Sequence, residues 1–471
     1  MTDKIFESLR QAHPLFTYRA YHWEKREDCL QLQFDFEVNE EIRFSPTIRI
    51  PDHPAYAAFY RKHNLNELEN LVFHIGMIEL ISYWKCVCCP EIRIEAAHLD
   101  EEALAWWKNL YYHGLGEFFY INHIATDAQS FVRLRCTSDR RLPKLKAGNP
   151  EGTIIPIGGG KDSVVTLELL KQQQPAPLTF IINPRGATKA CAEISGLPGR
   201  YLEIQRPIDK RLLELNAEGY LNGHTPFSAM LAFYSLLIAT LAGRSRIALS
   251  NESSANEPTV QGSDVNHQYS KSIAFESDFR EYVARHLTEE ISYHSFLRPL
   301  SELQIAMLFS RCAAYLPVFR SCNVGSKQDI WCGHCPKCLF TCIMLSAFLP
   351  AEKVREIFGK DLLEDETLWP VLKELCGETA VKPFECVGTR EEVCMALCEI
   401  IRQYESRNES LPTLLASFRR TALYESYRQR DIQPLLTAWD PQHFLPEDEE
   451  LLLKKALGIT LFADMERYKR E

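Results

Sequence analysis

Three consecutive glycines followed by Lys-Asp-Ser, residues 158–163, limit the local folds open to this chain more than any other stretch. An apolar segment, residues 153–157, comes directly before them, and residues 164–171 have the apolar spacing of a helix. Strand, glycine loop and helix in this order can bind phosphate, because glycine amides approach an anion closely and a helix N-terminus offers unpaired N–H groups. The sequence therefore predicts a phosphate-binding turn, with an ordinary strand-to-helix turn as the alternative.

The loop supplies most of the residues that we assign to nucleotide binding, namely Gly158, Gly159, Gly160, Lys161, Asp162 and Ser163. In this assignment the Ser163 hydroxyl donates to a phosphate and Asp162 reaches a phosphate-bound Mg²⁺. The spacing is neither that of a Walker A loop nor that of a dinucleotide G-x-G-x-x-G. It resembles the Ser-Gly-Gly-x-Asp-Ser loop of the PP-loop ATP pyrophosphatases, with Gly158 where that family usually has serine. The resemblance implies that ATP is cleaved between its α and β phosphates and that a substrate oxygen is adenylated.

The length and net charge of the chain limit the classes of function that we expect. The 471 residues are enough for two or three domains, and the net charge is −10. Because nucleic-acid-binding proteins usually have basic surfaces, nucleic acid is not an expected partner. We see neither a signal-peptide core nor an apolar stretch that could span a bilayer, so we expect a cytoplasmic protein without membrane contact. Its 16 cysteines then predict buried thiols or metal ligands, and no oligomeric state is indicated.

The order of predicted elements indicates an α/β protein. Residues 1–137 contain strand-like and helix-like segments, which predict an N-terminal α+β domain for substrate binding. Residues 151–348 alternate strand and helix, which predicts a doubly wound parallel sheet, and the loop resemblance implies a PP-loop ATPase core of HUP-like fold. Residues 349–471 are predicted to be mostly helical.

Polar residues follow the strand predicted at residues 246–250. Asn251 and Glu252 come directly after it, where parallel sheets place their ligands, so we assign both to the nucleotide site, with helix capping as the alternative. Residues 266–272, Asn-His-Gln-Tyr-Ser-Lys-Ser, are rich in groups that transfer protons or bind anions.

A second motif consists of the cysteines Cys322, Cys332, Cys335 and Cys338. Two C-x-x-C steps share one cysteine, and with the upstream thiol they suit a tetrahedral structural Zn²⁺. Cys342 adds an alternative, because residues 332–342 also read C-x₂-C-x₂-C-x₃-C, as in iron–sulfur ferredoxins. Four buried structural thiols without a metal are the third interpretation.

Four further segments, residues 73–85, 114–120, 266–272 and 385–392, carry a closer resemblance. Together with the loop and the cysteines they are similar to the bacterial UDP-N-acetylmuramoyl-L-alanyl-L-glutamate epimerases over most of residues 30–395. The resemblance implies a UDP-linked muramoyl dipeptide as substrate, ATP and Mg²⁺ as cofactors, and a role in peptidoglycan precursor synthesis. In that chemistry AMP is transferred to the glutamate carboxylate, the α-proton is exchanged, and water releases AMP.

The candidates for the proton transfers are His267, Tyr269, Lys271 and Cys386, and the sequence does not rank them. An ordinary cysteine has a pKa of about 8.5, so Cys386 would need a nearby cation. Two other functions remain open at this point. One is a PP-loop ligase that amidates or otherwise modifies a small molecule such as a deazaguanine precursor. The other is an RNA-modifying or RNA-binding protein that uses the basic residues 135–146.

Overall fold

The computed structural model describes residues 2–257, 266–379 and 381–459. Its first sheet is built from β1 (Leu15–Lys25), β2 (Cys29–Val38), β3 (Ile42–Phe44), β4 (Thr47–Pro51), β5 (Glu91–Ile94) and β6 (Arg133–Cys136). The strand order is β3-β2-β1-β5-β6, and β4 also pairs with β2. β1 runs antiparallel to β2, to which a tight connection joins it, and parallel to β5, which the chain reaches only after several helices.

The second sheet positions the candidate site. Its strands are β7 (Thr153–Pro156), β8 (Leu178–Ile182), β9 (Leu202–Ile204), β10 (Arg246–Leu249) and β11 (Ser292–Ser295). All pairings are parallel, in the order β11-β10-β7-β8-β9. The chain winds outward from β7 through β8 and β9, then returns to the other side of β7 with β10 and β11. A crevice therefore opens between β7 and β10 at their carboxyl ends.

Helices cover both sheets and form the C-terminal region. The first twelve α-helices are α1 (Thr2–Ala12), α2 (Ala57–Lys62), α3 (Glu69–Trp84), α4 (Glu101–Gly114), α5 (Gly116–Ile121), α6 (Lys161–Leu170), α7 (Gly186–Ile194), α8 (Lys210–Ala217), α9 (Phe227–Leu241), α10 (Ile273–His286), α11 (Glu302–Ser310) and α12 (Pro336–Ser346). Those beyond them are α13 (Ala351–Phe358), α14 (Trp369–Cys376), α15 (Arg390–Ser406), α16 (Thr413–Phe418), α17 (Ala422–Tyr427), α18 (Gln433–Leu436) and α19 (Glu447–Leu457).

Alternate residues of the second sheet enter two different hydrophobic cores. Ile154 and Ile247 pack with the first sheet, α3, α9 and α10. Ile155 and Ala248, their neighbours along the same strands, pack with α6, α11 and the C-terminal helices. This alternation is the period of two that a strand imposes, and it requires apolar residues at every position of strands covered on both faces.

A buried ion pair joins the two sheets through α3. Arg206, just after β9, donates to both Glu79 carboxylate oxygens, from Nε at 2.5 Å and from Nη2 at 2.7 Å. The Tyr234 hydroxyl of α9 donates to the same carboxylate at 2.6 Å. An isolated antiparallel bridge between Arg49 and Gln205 adds a second link, between β4 and the end of β9. The N-terminal region is therefore held firmly against the second sheet.

The predicted α/β class, with a parallel-rich sheet and a helical C-terminal region, is confirmed. Residues 460–471 of that predicted region lie outside the described residues. Residues 42–50, whose apolar pattern is typical of a single strand, belong to two strands, because the chain turns at Ser45 and Pro46 between β3 and β4. Within the described part of the chain, no helix has both the length and the apolar character needed to cross a bilayer.

We predict that Glu79→Gln lowers the free energy of unfolding by about 3–5 kcal/mol, because it leaves the buried Arg206 guanidinium without a counter-charge. The measurement is urea denaturation followed by circular dichroism. Glu356→Gln is the matched control, since the same change there removes only an exposed ion pair with Lys353 and should alter stability little. Equal stability of the Glu79 variant and the wild type would contradict the structural role of this ion pair.

Candidate active site

The glycine loop connects β7 to α6, and its conformation requires glycine at two positions. Gly159 has a φ of +78°, and a Cβ there would lie 3.0 Å from the Thr188 backbone nitrogen. Gly160 is the N-cap of α6, and a Cβ there would lie 2.8 Å from the Ser321 hydroxyl. Gly158 faces open space, with no atom of the described residues within 4 Å of a Cβ placed on it. The loop therefore packs tightly on one side and opens into a cavity on the other.

Two adjoining cavities lie at this end of the sheet. The first, which we call the loop cavity, has a volume of about 320 Å³. Among its lining residues are the predicted site residues Gly158, Gly160, Asp162, Ser163, Asn251, Lys271 and Cys386. The second, the side cavity, has a volume of about 260 Å³ and lies toward β8. Phe227 and Leu231 of α9 line both cavities, which therefore form one continuous cleft.

Three carboxylates meet beneath the glycine loop. Oxygens of Asp162, Glu252 and Glu302 all lie within 4.8 Å of one another. Glu252 Oε2 and Glu302 Oε1 are buried and have no hydrogen-bond partner among the described residues. Unpaired buried carboxylate oxygens are costly, and Mg²⁺ prefers oxygen ligands of this kind. The donor set therefore fits a divalent cation.

Lys161 faces these carboxylates and does not line either cavity. Its ammonium is buried and ion-paired with both Asp162 and Glu302. Burial lowers the pKa of Lys161, but the two carboxylates outweigh that effect and the net shift is upward. Lys161 thus neutralises part of the negative charge under the loop.

Cationic groups surround Cys386 at the loop cavity. The Lys271 ammonium and the His267 imidazole both contact its thiol. Lys337, the second residue of α12, donates from Nζ to the Cys386 carbonyl oxygen. Burial raises the pKa of Cys386, but Lys271 and His267 outweigh it and bring the pKa to about 6. The thiol is therefore ionised at neutral pH.

Glu117 of α5 links two imidazoles, those of His224 and His267. Its Oε2 contacts His267 Nδ1 and lies 3.1 Å from His224 Nδ1. Burial lowers the pKa of His267, but hydrogen bonds to Cys386 and Glu117 raise it to about 9. Burial lowers the pKa of His224 to about 4. At neutral pH one imidazole is therefore charged and the other is neutral.

The structure separates Tyr269 from the other predicted proton-transfer residues. Its ring stacks on His113 with centroids 5.0 Å apart, and its hydroxyl accepts a hydrogen bond from Asn109 at 3.2 Å. It lines neither the loop cavity nor the side cavity. Sequence reasoning also missed Glu117, His224, Glu302 and Lys337 as members of the site. Residues 114–120, which contain Glu117, carry part of the family resemblance, but no pattern in the sequence near Glu117 or His224 indicates that either side chain lies beside His267.

The four predicted zinc ligands converge beside the loop cavity. The sulfur atoms of Cys322 and Cys335 are 3.8 Å apart, as are those of Cys332 and Cys338, and Cys335 and Cys338 are separated by 3.5 Å. A tetrahedral ion with Zn–S bonds of about 2.3 Å requires sulfur atoms roughly 3.8 Å apart. The Gly325 amide donates to Cys322 Sγ at 3.1 Å, as backbone amides do to thiolates. The cluster therefore fits zinc.

Cys342 does not belong to this cluster. Its sulfur lies 4.0 Å from the Ser346 hydroxyl, one helical turn further along α12. The metal-binding group consists of Cys322 with Cys332, Cys335 and Cys338. The geometry thus favours the zinc interpretation over the ferredoxin-like alternative, which needs Cys342 as a ligand.

We predict one tightly bound zinc ion per chain and opposite effects of two serine substitutions. Cys322→Ser should lose zinc and soluble yield, because metal binding is coupled to folding. Cys342→Ser should keep zinc, because this thiol lies outside the cluster. Elemental analysis of both purified variants and the wild type is the measurement. Iron in the wild type, or metal loss in Cys342→Ser alone, would support the iron–sulfur alternative instead.

We predict that alkylation of Cys386 by iodoacetamide rises with pH around a midpoint of about 6. In Lys271→Met the midpoint should rise toward the ordinary value of about 8.5, because the largest interaction that lowers the pKa is gone. Peptide mass spectrometry gives the rate for each cysteine. Cys312 is the internal control, since burial raises its pKa to about 11. A wild-type midpoint near 8.5 would contradict an ionised Cys386.

Comparison with known proteins gives a consistent result. The chain matches the MurL N-terminal domain over residues 7–296 and the MurL C-terminal domain over residues 318–428. Three relatives carry the name UDP-N-acetyl-alpha-D-muramoyl-L-alanyl-L-glutamate epimerase. The protein from Xanthomonas oryzae pv. oryzae is 34% identical over 387 residues, which cover 80% of this chain and 82% of that protein.

The other two relatives are similar in extent. The Salinispora tropica protein is 35% identical over 83% of this chain and 85% of its own length. The Micromonospora sp. protein is 34% identical over 88% of this chain and 92% of its own length. No solved structure gives a significant match. The two matching domains and the near full-length coverage of these relatives show that this chain belongs to the MurL family.

Proposed function

We propose that this chain epimerises the terminal L-glutamate of UDP-MurNAc-L-Ala-L-Glu to D-glutamate in peptidoglycan precursor synthesis, with cleavage of ATP to AMP. The names of the relatives supply the substrate. One observation carries the mechanism: residues of the glycine loop line the same loop cavity as Lys271 and Cys386, whose thiol interacts with His267. A site that combines phosphate binding with proton transfer can activate a carboxylate and exchange the proton next to it.

The second sheet supports a PP-loop type of nucleotide site. Its strand order turns between β7 and β10, where ligands of doubly wound sheets bind, and the glycine loop follows β7. We place the phosphates of ATP against the loop amides and Ser163, and the nucleoside in the side cavity. Phe180, Ile182 and Phe227 give that cavity apolar walls suited to a base.

Asp162, Glu252 and Glu302 are our candidates for holding Mg²⁺. When bound there, the ion would offset the charge of the phosphates and of the leaving pyrophosphate. The basic side chains Lys271 and Lys337 line the same cavity as Asp162. Together these groups can orient the α-phosphate of ATP toward a substrate carboxylate.

Adenylation explains why an epimerase would consume ATP. The α-proton of a glutamate carboxylate is hardly acidic, because its removal would place a carbanion beside a full negative charge. In a mixed anhydride with AMP that charge is gone, and the carbonyl can accept the electrons as an enolate. We propose that Lys271 stabilises this developing charge and that His267 takes part in proton transfer. We assign no direct role to Tyr269, since its ring packs on His113.

We also propose that residues 1–137 bind the substrate, residues 151–348 activate it, and the region from residue 349 completes the site. Glu117 of the first region contacts His267 of the second. Cys386 of the third region lies in the loop cavity. All three parts of the chain therefore contribute to one site.

The direct test is incubation with Mg-ATP and UDP-MurNAc-L-Ala-L-Glu in D₂O. We expect AMP and pyrophosphate, one deuterium at the glutamate α-carbon, and D-glutamate after hydrolysis. Mass spectrometry and chiral analysis of the product are the measurements. AMP with a product of changed mass would favour a ligase, and ADP as the sole nucleotide product would contradict the proposal.

Asp162→Ala should lower turnover by on the order of 100-fold or more, because it removes a charge from the candidate Mg²⁺ site. Asp127→Ala, at an exposed position that lines neither cavity, is the matched control and should keep full activity. Circular dichroism confirms that both variants are folded. Full activity of folded Asp162→Ala would remove the phosphate-loop assignment.

A further inference from the structure

Cys386 has the contacts of an activated nucleophile. It lines the loop cavity together with Asp162 and Ser163 of the glycine loop. The Lys271 ammonium and the His267 imidazole both contact its sulfur. The Lys337 ammonium fixes the main chain at the same residue through the Cys386 carbonyl oxygen. The thiol is thus held in one place, beside the position where an adenylate would form.

Behind the thiol, a carboxylate orients the imidazole. His267 contacts Cys386 on one side and Glu117 on the other, through Nδ1. A nucleophile, a base within hydrogen-bond reach, and a third group that orients the base are the signature of covalent acyl transfer. Glu117 is the positioning residue of this series, since it reaches the thiol only through His267.

The same contacts argue against Cys386 and His267 as a pair of acid–base groups on opposite faces of the substrate. Each such group must approach the α-carbon to about 3–3.5 Å, so the two would lie roughly 6–7 Å apart. Side chains in contact are closer than that, with heavy atoms about 4–4.5 Å apart or less. The thiol and the imidazole therefore reach the substrate from one side, which leaves another role for one of them.

We propose that Cys386 accepts the glutamyl group from the adenylate and carries it as a thioester during epimerisation. This rests on the proposed function, because it requires an acyl-adenylate. The ligand class is an activated carboxylic acid, and the covalent site is the Cys386 sulfur.

The step balances without a further reactant. The thiolate attacks the acyl carbon, the new C–S bond forms, and the bond from that carbon to the AMP oxygen breaks. AMP leaves with the electron pair, and no proton is needed because the thiol is already ionised. After the α-proton has been removed and returned, water attacks the thioester, the C–S bond breaks, and the sulfur leaves as thiolate. The two protons of that water end in solvent, because the released acid is ionised.

Formation of the thioester also changes the groups around it. The thiolate is the largest of the interactions that raise the pKa values of Lys271 and His267. Once its charge is gone, both pKa values fall, and each group becomes a better proton acceptor. Since both contact the sulfur, an acyl group bound there lies within reach of both. The covalent step thus prepares the proton transfer that follows it.

The test uses full-length Cys386→Ala and Cys386→Ser in single-turnover reactions with Mg-ATP and UDP-MurNAc-L-Ala-L-Glu. Three quantities are measured: substrate-dependent exchange of pyrophosphate into ATP, release of AMP, and deuterium at the α-carbon. We expect both variants to keep pyrophosphate exchange and to lose AMP release by more than about 100-fold, because the acceptor of the acyl group is missing. Cys312→Ala, which removes a thiol outside the cavity, is the control.

Acid quenching of the wild-type reaction should also trap a modified Cys386 peptide. Its mass should exceed that of the free peptide by the mass of the UDP-linked substrate minus one water, and treatment with hydroxylamine should remove this added mass. Wild-type AMP release in the variants, with deuterium incorporation lost, would overturn the thioester and leave Cys386 as an acid–base group. Loss of pyrophosphate exchange in the variants alone would place Cys386 in adenylation and also overturn it. Absence of exchange in the wild type would instead refute the proposed function itself.

Discussion

The parallel pairing of β7 with β10 determines where the candidate site lies. These two strands are neighbours in the sheet although about ninety residues separate them in sequence. The glycine loop, which follows β7, and Asn251–Glu252, which follow β10, therefore lie side by side at the carboxyl ends of these strands. Helix N-termini and turn amides face the crevice that results, and carboxylates from both strands meet beneath it. Without that pairing Asp162 of the loop would lack the neighbouring Glu252 carboxylate, which follows β10.

The four-cysteine cluster positions the part of the cavity around Lys337. Cys322 lies on the segment that brings Arg320 and Ser321 against the glycine loop, and Cys335 is the N-cap of the helix that carries Lys337. A metal that joins these segments fixes a loop and a helix start with a single set of bonds. The Asp162 carboxylate and the ammonium groups of Lys271 and Lys337 line the resulting cavity. Such a charge pattern suits a metal-bound nucleotide facing an anionic substrate.

The parts of the structure that could be predicted from sequence are those specified by neighbouring residues. The glycine loop and the closely spaced cysteines are local patterns, and α9 spans residues 227–241 as its apolar run predicts. β11 could not be predicted, because Ser-Tyr-His-Ser has no apolar alternation and its buried His294 is paired with Glu449 of α19, far along the chain. The same holds for Glu117, which contacts His267 across 150 residues of sequence. The sequence places Lys161 in the nucleotide site because its neighbours belong to the glycine loop. Its buried ion pair with Glu302 could not be predicted, because Glu302 lies far along the chain.

The central claim of the proposed mechanism is that the substrate α-carboxylate is adenylated. The most direct test is to measure whether an oxygen atom of that carboxylate appears in AMP. UDP-MurNAc-L-Ala-L-Glu carrying ¹⁸O in the glutamate α-carboxylate is converted with Mg-ATP, and the AMP is weighed by mass spectrometry. Adenylation predicts AMP that contains one ¹⁸O, whereas substrate labelled only in the γ-carboxylate should give unlabelled AMP. Unlabelled AMP from the α-labelled substrate would contradict activation of that carboxylate and with it the mechanism built on the loop cavity.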